Sequence, residues 1–99
     1  MDNNVKKELE DAIVDAWYGN YELVAISHLS KTSRYTCTNT VSRENIDDLE
    51  IYDGCVLVIK SASFYFTMLM SESMKITKES YGTFVIEDDD SKTTISFIK

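Results

Sequence analysis

The chain has 99 residues, of which 43% are hydrophobic, and it carries a formal net charge of −7 with two cysteines and no proline. That length suits a single domain spanning residues 1–99, and so high an apolar fraction is unlike that of a disordered chain. Two cysteines are too few for a disulfide scaffold, the apolar runs are too short to span a membrane, and an acidic chain is repelled by nucleic acid.

The N-terminal segment has the periodicity of an amphipathic helix. Its apolar residues recur at intervals of three and four, so that they share one face of a helix. The residues of this stripe are Val5, Leu9, Ala12, Ile13 and Ala16. We predict a helix over residues 4–18, with this stripe facing the core.

After the helix, the apolar pattern changes to the period of two that is typical of strands. Alternation and continuous apolar runs predict strands at 21–29, 34–41, 55–59, 64–70, 74–78, 83–87 and 93–98. Their short connections require antiparallel neighbours, because parallel neighbours need long crossovers. We predict an α+β fold in which the N-terminal helix packs on a twisted antiparallel sheet of about six or seven short strands.

Two acidic segments separate predicted elements. Residues 42–53 break the strand pattern, and we interpret them as a short helical turn or a long loop that Ile46, Leu49 and Ile51 tether to the core. Residues 88–92 lie between two predicted strands, and this pattern predicts a hairpin with residues 88–92 at its acidic tip.

The sequence contains no recognisable catalytic or metal-binding motif. The single histidine, His28, lies within a predicted strand, where we expect a hydrogen-bonded core or edge residue. Cys37 and Cys55 are expected to be reduced and buried, and with one histidine they do not complete a zinc site. Residues 87–90 lack the glycine and the distant glutamate of a calcium loop. We therefore expect no catalytic residue, no cofactor and no metal, and no enzymatic activity.

The acidic residues are concentrated in two windows. Nine of the 17 fall in residues 44–53, the first acidic window, or in residues 87–90, the second, and neither window contains Lys or Arg. Ordered carboxylates can occupy a basic groove that otherwise binds phosphate, and tyrosine is enriched at protein interfaces. The predicted partner-binding residues are Glu44, Asp47, Asp48, Glu50, Tyr52, Asp53, Tyr81, Glu87, Asp88, Asp89 and Asp90. The other interpretation is that these loops only keep the domain soluble.

In its small size, lack of proline, acidic charge, N-terminal helix, short strands and acidic loops, the chain resembles small phage-encoded inhibitors, of which the anti-CRISPR proteins are the best-known group. The resemblance extends over the whole chain and involves no motif that matches residue by residue. It implies an inhibitor that binds the protein surface of a CRISPR effector, often where guide or target nucleic acid would lie. It suits inhibitors of other nucleic-acid enzymes equally.

Two other functions fit the same sequence. One is a toxin-immunity protein that neutralises a basic nuclease. The other is a ligand-binding or assembly module that uses the strand face of Phe64, Phe66, Met68 and Met70, although such residues are more often part of a core. Because the N-terminus has no secretory pattern, we expect a cytoplasmic protein, in the host cell if phage-encoded. A homodimer remains an open alternative.

Overall fold

The computed structural model describes residues 3–18, 21–80 and 82–99. Within them, one α-helix precedes eight strands, and a turn of 3-10 helix separates the second strand from the third. The elements are α1 Asn3–Trp17, β1 Leu23–Ser30, β2 Tyr35–Ser42, the 3-10 helix Arg43–Asn45, β3 Ile46–Tyr52, β4 Val56–Ser61, β5 Tyr65–Leu69, β6 Lys75–Ser80, β7 Thr83–Glu87 and β8 Ser91–Ile98.

The strands form two sheets that share one core. A five-stranded sheet has the order β2-β1-β8-β7-β6, and a three-stranded sheet has the order β3-β4-β5. All of the strand pairs are antiparallel, as the short connections predicted. The α+β class is confirmed, and its strands number eight and are divided between two sheets.

Helix α1 spans the two sheets at one side of the molecule. It contacts β3 and β6, which are edge strands of different sheets. Leu9, Ala12 and Ile13 are buried in the core, and Val5 packs against it. The predicted helix and the core-facing positions of Val5, Leu9, Ala12 and Ile13 are confirmed, while the side chain of Ala16 lies outside what the structure describes.

The face of Phe64, Phe66, Met68 and Met70 belongs to the interior. Met68 and Met70 are buried, and the two phenylalanines pack against the same core cluster. This is the arrangement that burial preferences favoured for these residue types. The open face of the three-stranded sheet is therefore the opposite one.

The interpretation of residues 42–53 as a helical turn or a long loop is wrong for most of this segment. Only Arg43–Asn45 forms a helical turn, and Ile46–Tyr52 forms strand β3. A bulge shifts the register between Ile46 and Asp48, so Ile46 and Leu49 both face the core although they are three residues apart. A spacing of three resembles a helical period, and the extra residue of the bulge therefore concealed the strand.

Candidate protein-binding surface

Strand β3 places three predicted partner-binding residues on one face. Leu49 is 1% exposed and lies in the core, so its alternating neighbours Asp48, Glu50 and Tyr52 face outward. Glu50 and Tyr52 are exposed and Asp48 is half-buried. A strand holds these side chains at a fixed spacing, which a loop would not do.

Tyr52 and Asp48 form a hydrogen-bonded pair on this face. The Tyr52 hydroxyl donates to Asp48 Oδ2 at 2.5 Å. This hydrogen bond, together with partial desolvation and the negative charges of Asp48 and Glu50, raises the pKa of Tyr52 to about 12. The phenol therefore remains a hydrogen-bond donor to the Asp48 carboxylate up to a higher pH than an isolated tyrosine would.

We predict that Asp48→Asn lowers the pKa of Tyr52 back toward the ordinary tyrosine value of 10.0, because the hydrogen bond to a carboxylate and the negative charge of that carboxylate are both lost. Since the folded-state pKa is raised, the pair stabilises the fold fully below pH ~10 and loses that contribution as the pH rises through the folded-state value. An NMR titration of the tyrosine ring carbons measures the change, with Tyr52→Phe to assign the signal. An unaltered Tyr52 titration in Asp48→Asn would contradict the assignment of cause.

The neighbouring strands extend this face with aromatic and aliphatic side chains. In the strand ladder, Tyr52 is opposite Val56, and Val56 is opposite Leu69. Tyr65 and Leu69 are each 62% exposed, and Tyr52 is 42% exposed. The acidic–aromatic face is defined here as Asp48, Glu50, Tyr52, Val56, Lys60, Tyr65 and Leu69.

One basic side chain lies within the acidic–aromatic face. Lys60 is exposed and pairs in the ladder with Asp48 on one side and with Tyr65 on the other. It offsets part of the negative charge at this end of the face. Glu50 lies opposite Val58, so its carboxylate has an apolar neighbour across the strand pair.

The rest of the first acidic window flanks β3. Glu44 lies in the 3-10 helix and Asp47 at the bulge, and both are exposed. Asp53 lies in the turn after β3, where Asp53 and Gly54 have φ values of 52° and 72° and Cys55 N donates to Tyr52 O at 3.0 Å. Asp–Gly is a preferred pair for hairpin turns that need two left-handed residues, and this dipeptide was a sequence signal for the β3–β4 hairpin.

The second acidic window forms the β7–β8 turn, as predicted, and two of its members stabilise that turn. Lys31 Nζ donates to Glu87 Oε2 at 2.6 Å, and this contact lowers the pKa of Glu87. Asp88 Oδ1 accepts from the backbone N–H groups of Asp90 at 2.9 Å and Ser91 at 2.8 Å, which lowers the pKa of Asp88. Asp89 and Asp90 are exposed.

The two windows lie on different sheets. Glu44 lies two residues after Ser42, and Ser42 pairs with Leu23, the first residue of β1. At the other end of β1, Lys31 follows the last residue of the strand, and its backbone N–H donates to Asp90 O. Those ends of β1 are seven residue steps apart, or about 23 Å at the usual strand rise. Tyr81, the remaining predicted residue, lies outside the described residues.

Sequence reasoning did not include Tyr65 and Leu69 in the partner-binding set. They alternate with the core-facing Phe66 and Met68, so the period of two already placed them on the opposite face. What was lacking was the register, which places Leu69 opposite Val56 and Tyr65 opposite Lys60.

The histidine and cysteines have ordinary structural surroundings. His28 Nδ1 is 2.7 Å from the Thr93 hydroxyl, and its ring lies 5.7 Å from that of Phe66. Cys37 and Cys55 are free and half-buried, and a hydrogen bond with Cys37 raises the pKa of Tyr35. Among the described residues, no three His, Cys, Asp or Glu side chains are grouped so as to hold a metal ion.

Comparisons of the chain with protein-family models, with curated proteins and with solved structures find no match. In the ranges that the structure describes, no helix has both the length and the apolar character needed to cross a membrane. What distinguishes the surface is an ordered edge strand that presents carboxylates beside exposed aromatic side chains.

Proposed function

We propose that the protein is a non-enzymatic inhibitor, encoded by a phage, that binds a basic nucleic-acid-handling protein of the CRISPR effector type. It blocks binding or cleavage of nucleic acid and acts in the cytoplasm of the host cell. The acidic–aromatic face and the acidic residues that flank β3 form its main contact. Asp89 and Asp90, at the exposed tip of the second acidic window, supply a further contact.

The observation that carries this proposal is that Asp48, Glu50 and Tyr52 share one outward face of the three-stranded sheet with the exposed Tyr65 and Leu69. CRISPR effectors hold their guide–target duplex in a positively charged channel, which carboxylates complement. Complementary charge accelerates association and selects the partner. Most of the affinity of such contacts comes from a few large side chains that become desolvated, and tyrosine is among the most frequent.

Salt and charge removal test the electrostatic part of this proposal. We expect the affinity for a CRISPR effector to fall about tenfold or more between about 50 and about 500 mM salt, because screening weakens charge complementarity. Asp48→Asn with Glu50→Gln should weaken binding about tenfold at the lower salt concentration and flatten the salt dependence. Isothermal titration calorimetry against a panel of effectors, with and without guide RNA, measures both.

The matched control removes the same amount of charge elsewhere. Asp11 and Asp15 are exposed on α1 and line a groove with Lys78 of β6 and Phe84 of β7, so Asp11→Asn with Asp15→Asn should leave the affinity nearly unchanged. Equal loss in the two double variants would show that only net charge matters and would reject the acidic–aromatic face. Asp89→Asn with Asp90→Asn measures the share of the second acidic window.

A basic nuclease belongs in the same panel, because a toxin-immunity protein would use the same charge complementarity. Tight binding to the nuclease, without binding to any effector, would replace the effector assignment by that function. Binding to neither class in low salt would reject the proposed function altogether.

A further inference from the structure

A pocket of about 550 Å³ opens at the end of β3 that is opposite Tyr52. It lies between the two sheets, where the last residues of β2, the 3-10 helix, the start of β3 and the β4–β5 turn meet. Its polar lining includes Asn39, Asn45 and Ser61, its acidic lining is Glu44 and Asp47, and Phe64 contributes an aromatic wall. Its volume is in the range of pockets that bind small molecules or single side chains.

Ser61 gives this pocket an unsatisfied polar group. The residue is 7% exposed, and its hydroxyl has no hydrogen-bond partner among the described residues. It follows Leu57 and Ile59 at alternating positions of β4, so its side chain shares their inward direction, and Ser61 is one of the residues that line the pocket. Buried hydroxyl groups are nearly always hydrogen-bonded, so the partner of an unpaired one is supplied by another molecule, either an ordered water or a ligand.

The negative charge at this pocket favours a positively charged ligand. Glu44 and Asp47 are both exposed, both belong to the first acidic window, and the residues that line the pocket include no Lys or Arg. The carboxamides of Asn39 and Asn45 and the Ser61 hydroxyl add neutral acceptors. Two carboxylates beside several neutral acceptors suit a ligand that is positively charged and has many donors.

We infer that this pocket receives the guanidinium of an arginine side chain from the basic partner, an inference that rests on the proposed function. A guanidinium offers five N–H donors in one plane and is more weakly hydrated than an ammonium, so it pairs with carboxylates at lower desolvation cost. Its methylene stem and planar head also pack on aromatic rings, which Phe64 provides. Asp47 and Glu44 bind the charge, and Ser61 accepts one N–H inside the pocket.

The test uses a small probe on the full chain. Nα-acetyl-arginine N-methylamide is titrated into the protein and followed by the backbone amide NMR spectrum, beside the lysine analogue and the citrulline analogue, which has the same shape without the charge. We expect saturable shifts that centre on Asn45, Asp47 and Ser61, with the citrulline analogue at least ~10-fold weaker and the lysine analogue intermediate.

Three variants assign the binding to the pocket. Glu44→Gln with Asp47→Asn should weaken the arginine probe by about tenfold, and Asp89→Asn with Asp90→Asn should leave it unchanged. Ser61→Ala removes a buried polar group that lacks a partner, so it should fold as well as the parent and bind the probe several-fold more weakly. Absence of saturable shifts, equal shifts with citrulline, or unchanged binding in both pocket variants would overturn the inference.

Titration of the pocket variants against the effector panel shows whether the guanidinium belongs to the partner protein. Weaker effector binding by Glu44→Gln with Asp47→Asn, in parallel with the probe, supports an arginine of the partner. Probe binding without binding to any basic protein would keep a guanidinium site and reject the partner as its source. Effector binding that is unaffected by the pocket variants would reject the pocket as a contact and leave the proposed function standing.

Discussion

Tyr65→Ala is expected to weaken binding to the basic partner by roughly 30-fold, which corresponds to about 2 kcal/mol. Tyr65 is 62% exposed and lies opposite Lys60 of β4, which in turn lies opposite Asp48 of β3. A partner that covers this side chain removes its ring from water while leaving a polar hydroxyl to pair. Removal of so exposed a ring leaves no cavity, so the thermal midpoint should change little.

Tyr35 provides a closely matched control for that variant. It is 58% exposed but lies on β2, which is one of the two edge strands of the five-stranded sheet. Tyr35→Ala should retain the affinity of the parent chain in the same calorimetric titration. If the two tyrosine variants lose affinity equally, the interface does not centre on the acidic–aromatic face.

Leu9→Ala is expected to lower the free energy of unfolding by about 2–4 kcal/mol. Leu9 is 0% exposed, and α1 contacts an edge strand of each sheet, so the cavity left by the lost side chain opens in the core that both sheets share. For a domain of this size that loss should lower the thermal midpoint by about 10 °C or more. Urea titration, with the slope compared between variants, measures the free-energy change.

Val14 lies on the same helix and is 50% exposed. Val14→Ala removes an aliphatic side chain from the exposed side of α1 and should change stability by less than about 0.5 kcal/mol. A Leu9→Ala chain as stable as Val14→Ala would mean that the helix is not part of the core. The comparison also separates burial from helix propensity, because alanine is the better helix former at both positions.

Patterns among neighbouring residues correctly predicted the elements whose apolar residues keep a regular spacing from one end to the other. The stripe at Leu9, Ala12 and Ile13 predicted α1, since only one face of a surface helix can be buried. The hairpin of β7 and β8 was predicted from two apolar runs around an acidic turn, and Asp88 caps that turn with its own carboxylate. The spacing of the helical stripe and the hydrogen bonds of the Asp88 turn both involve residues that are close in sequence.

The prediction for residues 42–53 was wrong because a bulge is invisible to a periodicity count. Ile46 and Leu49 lie on the same side of β3 only because an extra residue is inserted between Ile46 and Asp48. The acidic residues at 47, 48 and 50 added a loop-like composition to this misleading spacing. Aligned against β4, the same residues form a ladder that the Asp53–Gly54 turn closes.

In the candidate site too, some features are visible in the sequence and others depend on how the strands pair. The concentration of carboxylates in two windows could be read directly from the chain. Their separation on two sheets, the addition of Tyr65 and Leu69 to one of them, and the buried Ser61 hydroxyl beside Glu44 and Asp47 all depend on strand pairing.

The sequence by itself determined the α+β class, the helix with its buried stripe, the antiparallel pairing and the two concentrations of negative charge. Only the tertiary structure decided that eight strands divide into two sheets, and which acidic side chains lie beside exposed aromatic rings. The reason is that backbone hydrogen bonds are alike for every strand pair. The packing of the whole core, and not residues near in sequence, therefore selects the pairing of β1 with β8. The same packing places His28 opposite Thr93 in that pair of strands.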